Sequence, residues 1–152
     1  VQGNLTIVNI IVYKYLYMKE LVRLFKLLSD ESRLRILMLL ARRELCVCQL
    51  MAVLGISQPL VSRNLSLLRE GGLLEERREG KLVFYRVRKA LPHYAVAYVR
   101  LLQQRLLSDE SFGADLQSLA DCEAFKKETG KCDMKTFLAY MRKKRIQKRE
   151  KK

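Results

Sequence analysis

The chain has 152 residues, and 30 lysines and arginines against 16 aspartates and glutamates give it a formal net charge of +14. Apolar residues make up 49% of the chain, enough for a packed core, which excludes a chain that is disordered throughout. No clean apolar run reaches about 18 residues, so we expect no transmembrane helix and no membrane partner. The excess of basic residues points to a polyanionic partner, nucleic acid before an anionic membrane surface.

The chain divides into three parts by composition. Its first 17 residues are apolar and aromatic, and they lack the basic start and the small-residue cleavage site of a signal peptide. From Met18 the apolar residues recur with helical spacing. We expect either that Met18 is the functional start or that the segment before it is a loose arm. The prediction is an arm over 1–17, a main domain over 18–107, and a C-terminal extension with two cysteines and a basic tail over 108–152.

Two helices joined by a glycine turn are predicted in the middle of the chain. A short helix runs from about Cys48 to Leu54, and Gly55 suits a left-handed cap at its end. Ser57 is a natural N-cap for the next helix, which continues to Glu70. Such a pair is typical of a helix-turn-helix, whose second helix lies in the major groove of DNA.

A β-hairpin is predicted directly after the second helix. Two strand-like runs, 73–77 and 82–87, flank a tight-turn composition at 78–81. The fold class that follows is mainly α, a winged helix-turn-helix with a two-stranded wing. The apolar stripes of the helices at 18–28 and 93–107 exceed what one small domain needs, so we expect these terminal helices to form a homodimer interface.

The candidate DNA contacts lie on the predicted outer face of the second helix and on the hairpin. Gln and Asn pair with adenine, Arg with guanine, and Ser with either base, whereas hairpin cations reach phosphates or the minor groove. The candidates are Gln58, Ser62, Arg63 and Asn64 on the helix and Arg77, Arg78 and Lys81 on the hairpin. The last eleven residues hold eight basic side chains and one acid, and we expect this tail to add salt-sensitive affinity.

The cysteines suggest a second function. The chain has four cysteines and no secretory signal, so we expect reduced thiols and a cytoplasmic protein. Cys46 and Cys48 stand at the start of the short helix, where the helix N-terminus and two nearby arginines favour thiolates. Residues two apart on a regular helix point roughly 200° apart, so both sulfurs face one ion only if the helix start is frayed or distorted. Metal binding is therefore predicted to strain this helix and shift the helix that follows.

Four stretches carry the most specific patterns of the chain, namely LSDESRLRIL (28–37), ELCVCQL (44–50), SQPLVSRNLSLLREGGLL (57–74) and REGKLVFYRV (78–87). Together they resemble the ArsR/SmtB family of metalloregulatory repressors, and ELCVC is similar to the arsenic- and antimony-sensing branch. The resemblance implies a homodimer that binds an inverted repeat in operator DNA and represses a resistance operon. It also implies that the dimer leaves the DNA when As(III) or Sb(III) binds the Cys-Val-Cys thiolates.

A third thiolate is expected, because As(III) prefers three thiolates and soft ligands select soft ions. The arsenic- and antimony-sensing branch often has a third cysteine three residues after the second, but in this chain that position is Met51. Its thioether is a poor replacement for a thiolate, and we expect the side chain to pack in the core. Cys122 and Cys132 are the remaining candidates, from the same chain or the partner subunit. Cys132 is favoured because its surroundings are basic and loop-like, whereas acids flank Cys122.

Other sensors and other classes of protein fit less well. Cadmium and lead sensors with the same motif add cysteines in an N-terminal arm, and no cysteine precedes Cys46. Zinc and nickel sensors need further ligands besides His93, which is the only histidine of the chain. A thiol-based redox or reactive-sulfur sensing repressor, using Cys48 with Cys122 or Cys132, stays open as the alternative. A dithiol oxidoreductase or an arsenate reductase is a distant third, because the Cys-x-x-Cys spacing and the phosphate loop of such enzymes are missing. We therefore expect no enzyme and no organic cofactor.

Overall fold

The computed structural model describes residues 2–106, 109–130, 135–136 and 139–140. Its helices are α1 (Gln2–Leu28), α2 (Glu31–Arg42), α3 (Val47–Leu54), α4 (Gln58–Glu70), α5 (His93–Leu106) and α6 (Glu110–Thr129), and its strands are β1 (Leu45–Cys46), β2 (Leu74–Glu79) and β3 (Leu82–Val87). The strands form one antiparallel sheet in the order β1-β3-β2. Helices α3 and α4 are the predicted helix-turn-helix, and β2 and β3 are the predicted wing.

Helix α2 lies at the centre of the core. Its N-cap is Asp30, whose carboxylate accepts a hydrogen bond from the backbone N–H of Arg33 at 2.9 Å. The apolar run from Ile36 to Leu40 is buried, as its composition predicts. Helices α4, α5 and α6 and strand β3 all pack against α2, so this helix fixes the position of both the recognition helix and the wing.

Two glycines with positive φ make the turns that shape the DNA-binding motif. Gly55 caps α3 with φ 68°, and its N–H donates to the carbonyl of Met51 at 2.9 Å. Gly80 has φ 59° and is the first residue of the two-residue hairpin turn, the position where a type II′ turn favours glycine. Ser57 occupies the predicted N-cap of α4, although its side chain makes no capping hydrogen bond.

Helix α1 extends across the position where the sequence suggests a boundary before Met18. It runs from Gln2 to Leu28 without a break, so the arm and the first predicted helix are one element. Large apolar side chains are exposed along it, namely Ile7, Val8, Ile10, Ile11, Val12, Tyr13, Tyr15, Leu16, Met18, Val22 and Phe25. In the described part of the chain, no helix combines the length and the apolar character needed to cross a membrane.

Helix α6 belongs to the core, although its acidic composition suggests a separate piece. Phe112, Leu119 and Phe125 are buried in the main cluster, and α6 packs on α3 and α2. Arg35 of α2 donates to both carboxylate oxygens of Asp115, from Nε at 2.7 Å and from Nη2 at 2.5 Å. These hydrogen bonds raise the pKa of Arg35. At least one acidic residue of α6, Asp115, is therefore the ion-pair partner of an arginine on α2.

Candidate nucleic-acid interface and thiol site

The two cysteines of the Cys-Val-Cys motif lie on either side of a helix start. Cys46 is the last residue of β1 and the N-cap of α3, with extended backbone (φ −90°, ψ 169°), and Cys48 is the second residue of α3. Their Sγ atoms are 2.7 Å apart. Because the helix begins between them, the sulfurs meet without any distortion of α3. Cys46 lies outside the helix in extended backbone, so the non-helical start that a shared ion requires is already present.

The backbone of Cys46 is held from two directions. Its N–H donates to Oε1 of Gln49 at 3.0 Å, and the Gln49 side chain is itself buried. Cys46 is also paired in register with Phe84 of the wing strand β3. Cys46 is buried, whereas Cys48 is half-buried. The thiol site is thus fastened directly to the wing, with one sulfur more accessible than the other.

The thiol pair shares a cavity with the DNA-binding elements. The cavity has a volume of about 290 Å³, and it is lined by Cys46, Val47, Cys48, Met51, Gln58, Lys81, Leu82, Val83 and Tyr85. Gln58 is the first residue of α4, and Lys81 is in the turn of the wing. Burial raises the pKa of Tyr85. One cavity therefore joins the predicted effector site to two predicted DNA contacts.

The described residues include only one of the two candidates for the third thiol, Cys122. Within the described ranges, no three His, Cys, Asp or Glu side chains are grouped as a metal site. Cys122 is instead buried in the core on α6. Cys132 and the basic tail at 142–152 lie outside the described residues. Met51 is half-buried and packs against the core, and it also lines the cavity.

Three of the four side chains predicted on the outer face of α4 are exposed. These are Gln58, Ser62 and Arg63, near the helix N-terminus. The prediction for Asn64 is wrong: its side chain is 2% exposed, and its amide nitrogen has no hydrogen-bond partner. Asn64 lies on the buried side of the helix, which is otherwise apolar, with Val61, Leu65 and Leu68. The spacing of three and four residues between these positions is the signal that identifies this face.

The first turn of α4 presents more residues than the sequence analysis chose. Ser57 and Pro59 are exposed, and Leu60, which the apolar pattern assigns to the inner face, is 39% exposed. An apolar side chain at the N-terminus of a recognition helix suits contact with a thymine methyl group. Leu60 is therefore an additional candidate for base readout.

The pair Arg63 and Asn64 provides a matched test of the recognition face. We expect Arg63→Ala to weaken DNA binding by about 1–3 kcal/mol, because it removes a base-reading side chain. We expect Asn64→Leu to leave DNA affinity unchanged and to raise the free energy of unfolding by about 1 kcal/mol, because it removes a buried unpaired donor. Fluorescence anisotropy with labelled DNA and urea unfolding measure the two effects. An Asn64→Leu variant that folds but loses DNA affinity contradicts this assignment.

The two predicted arginines of the wing, Arg77 and Arg78, lie on opposite faces of the hairpin. Arg77 pairs in register with Phe84 and Arg78 with Val83, and such cross-strand pairs share a face. Val83 lines the cavity next to α4, so Arg78 lies on the side of the recognition helix. Arg78 and Lys81 are exposed, as a role in DNA binding requires.

Arg77 faces away from the recognition helix and is engaged within the protein. Its guanidinium donates to Glu44 at 2.8 Å and to Glu79 at 2.7 Å, and it lies 5.1 Å from the centre of the Phe84 ring. These hydrogen bonds lower the pKa of Glu44 and raise that of Arg77. Glu44 directly precedes β1, so Arg77 connects the wing to the thiol strand. Arg77 therefore has partners within the protein, while its side chain is still 47% exposed.

The comparison with known proteins agrees with this geometry. A family model described as "Bacterial regulatory protein, arsR family" matches residues 30–76, a segment that contains the thiol pair and α4. Over 79 residues the chain is 49% identical to the arsenical resistance operon repressor of Escherichia coli strain K12, in an alignment that covers 51% of this chain and 68% of that protein. The chain belongs to the ArsR family.

Solved structures of similar proteins support the winged helix-turn-helix fold of this ArsR-family protein. The transcriptional repressor BigR from Xylella fastidiosa is 35% identical with a TM-score of 0.54, and the match covers 61% of this chain and 89% of that one. A homodimeric winged helix-turn-helix DNA-binding domain from Mycobacterium bovis is 31% identical with a TM-score of 0.52, covering 64% and 87% of the two chains. These findings confirm that the ArsR-family protein is a DNA-binding transcriptional repressor and not an enzyme.

Proposed function

We propose that this ArsR-family protein is an As(III)- or Sb(III)-responsive repressor, which binds operator DNA as a homodimer and leaves it when metalloid binds Cys46 and Cys48. The observation that carries the proposal is the cavity that these cysteines share with Gln58 and Lys81. The similarity to a protein named arsenical resistance operon repressor supports the same effector.

The arrangement supplies a direct route from effector to DNA. Two thiolates are soft ligands that select soft ions, and metal binding to them releases protons. An ion held by both sulfurs sits beside the first turn of α4 and the wing turn, so it favours a placement of Gln58 and Lys81 that differs from the DNA-bound one. The effector then shifts the equilibrium by its difference in affinity for the two placements.

Cys132 is the third ligand in this proposal. The ammonium of Lys126, near the end of α6, lies 5.8 Å from the centre of the Phe84 ring, and Phe84 is paired with Cys46. Cys132 follows Lys126 by six residues, and because α6 continues to Thr129, this segment spans up to ~15 Å. The thiol of Cys132 is therefore within reach of the pair from its own chain, whereas Cys122 is held in the core.

Mass spectrometry of the reduced protein with arsenite tests the metalloid site. Trypsin cuts after Arg43 and Arg63, so one peptide carries both Cys46 and Cys48, and Cys122 and Cys132 fall into separate peptides. We expect one retained arsenic and protection of Cys46, Cys48 and Cys132 from alkylation. Once urea has unfolded the protein, Cys122 should be alkylated to the same extent with and without arsenite. Retention of no arsenic, with full alkylation of all four thiols, overturns the proposal.

The homodimer is proposed to form through α1 and α5. A largely apolar cavity of about 320 Å³ lies between them and α2, lined by Phe25, Leu28, Ser29, Leu34, Tyr98, Leu101 and Leu102. Phe25 and Leu101 are each about half exposed in the single chain, and the Phe25 ring meets the Tyr98 ring edge-on at 5.1 Å. Phe25 lines this cavity and is also one of the exposed apolar side chains of α1, and the solved relative from Mycobacterium bovis is described as homodimeric.

A charge in the middle of this face should separate the subunits. We expect Phe25→Glu to weaken dimerisation by more than about a hundredfold, because an unpaired carboxylate in an apolar interface costs several kcal/mol. Size-exclusion chromatography with light scattering measures the change. Ala114→Glu adds the same charge at an exposed position of α6 and serves as the control. A Phe25→Glu variant that remains dimeric places the interface elsewhere.

A further inference from the structure

We propose that Cys46 and Cys48 also form a dithiol–disulfide switch, which a hydroperoxide closes and which then excludes metalloid from the site. The 2.7 Å contact between the two Sγ atoms carries the inference. The oxidation step stands without the function proposed above, whereas the exclusion of metalloid rests on it. This disulfide differs from the one in the redox-sensor alternative of the sequence analysis, which joins Cys48 to Cys122 or Cys132.

The geometry places the two sulfurs close to bonding distance. A disulfide bond is about 2.05 Å long, so the sulfurs need to approach by only roughly 0.7 Å. Cys46 is fixed by its pairing with Phe84 and by its hydrogen bond to Gln49. The remaining approach therefore falls to Cys48, in the first turn of α3. Two reacting groups held in this way react much faster than separate thiols in solution.

Burial assigns different roles to the two cysteines. Cys48 is half-buried and accessible to an oxidant, whereas Cys46 is 2% exposed. The sulfur of Cys48 attacks the hydroperoxide, the O–O bond breaks, and a sulfenic acid forms while the alcohol leaves. The sulfur of Cys46 then attacks the sulfur of Cys48, the S–O bond breaks, and water leaves with the thiol proton. Two thiols lose two electrons and two protons, and the peroxide gains both.

Closure of the disulfide removes two of the three proposed soft ligands at once. The thiolate is the metal-binding form of cysteine, and neither sulfur of a disulfide is a thiolate. The oxidised repressor is therefore unresponsive to arsenite until a dithiol or a phosphine reductant reopens the pair. Cys122 is buried in the core and takes no part in the switch.

Peptide mapping after hydrogen peroxide treatment of the full chain tests the bond. We expect the tryptic peptide 44–63 to lose two hydrogen atoms and to resist alkylation at both cysteines. In Cys46→Ser, Cys48 should accumulate as a sulfenic acid that dimedone traps. In Cys48→Ser, Cys46 should react at least about tenfold more slowly, because it is buried. A disulfide that links this peptide to that of Cys122 or Cys132, or equal dimedone labelling of the two variants, overturns the proposal.

Arsenite retention in the two redox states tests the consequence. We expect the reduced protein to retain arsenite, the oxidised protein to retain none, and treatment with a phosphine followed by its removal to restore retention. Equal retention in both states overturns the exclusion. A reduced protein that retains no arsenite refutes the metalloid function, but the peptide map still decides whether the disulfide forms.

Discussion

Replacing Cys48 with serine should leave DNA binding intact and abolish its release by arsenite. Serine is nearly the same size as cysteine and is well tolerated in the first turn of a helix, so the fold and the DNA-contacting face should persist. The hydroxyl is a hard ligand, and the remaining thiolates of Cys46 and Cys132 hold a soft ion by two bonds instead of three. Changes in groups that merely orient ligands already lower metal affinity by about 10–100-fold. Loss of a ligand should raise the arsenite concentration for half-release by more than that.

The measurement is release of labelled operator DNA as arsenite is added under reducing conditions. Affinity for DNA before arsenite is added shows that each variant is folded. Cys46→Ser should behave as Cys48→Ser does, because both sulfurs lie at one site. Cys122→Ser is the matched control, since it makes the same substitution on α6, in the core. Normal release from both Cys46→Ser and Cys48→Ser refutes the assigned sensor site.

Arg35→Ala should lower the free energy of unfolding by about 3–5 kcal/mol, the cost of stranding a buried charge. The Asp115 side chain is 3% exposed, and its two oxygens accept hydrogen bonds from Arg35. Removing the guanidinium leaves this carboxylate buried without the arginine that holds it. Because Asp115 lies on α6 and Arg35 on α2, the change should loosen the helix that covers α3 and the thiol site.

Urea unfolding of single and double variants measures this coupling. Glu31→Ala is the matched control: Glu31 lies 3.6 Å from the same guanidinium, but its side chain is 80% exposed. Its removal should cost less than about 0.5 kcal/mol, as for other exposed helix pairs. Adding Asp115→Leu to Arg35→Ala should recover much of the loss, because no buried charge then remains. If Arg35→Ala and Glu31→Ala cost the same, the pair with Asp115 contributes nothing.

The helices and the wing of the middle region follow from residues that are near one another in the chain. The buried run of α2, the glycine caps and the strand pattern of the hairpin are local signals, and the structure has these elements within a few residues of their predicted bounds. The Cys-Val-Cys motif and the exposed residues Gln58, Ser62 and Arg63 were also identifiable. Strand β1 was not, because a strand of two residues has no periodicity and exists only through its pairing with β3.

By itself, the sequence determined the family, the order of the central elements and the pair of cysteines that we propose as the sensor site. Only the tertiary structure decided which groups meet. Arg77 finds Glu44 across 33 residues, and Arg35 finds Asp115 across 80, so neither pairing leaves a periodic signal. Asn64 is buried because the docking of α4 selects its inner face. The two sulfurs meet because α3 begins between them, a boundary set by the hydrogen bonds of Cys46 to Gln49 and to the wing strand.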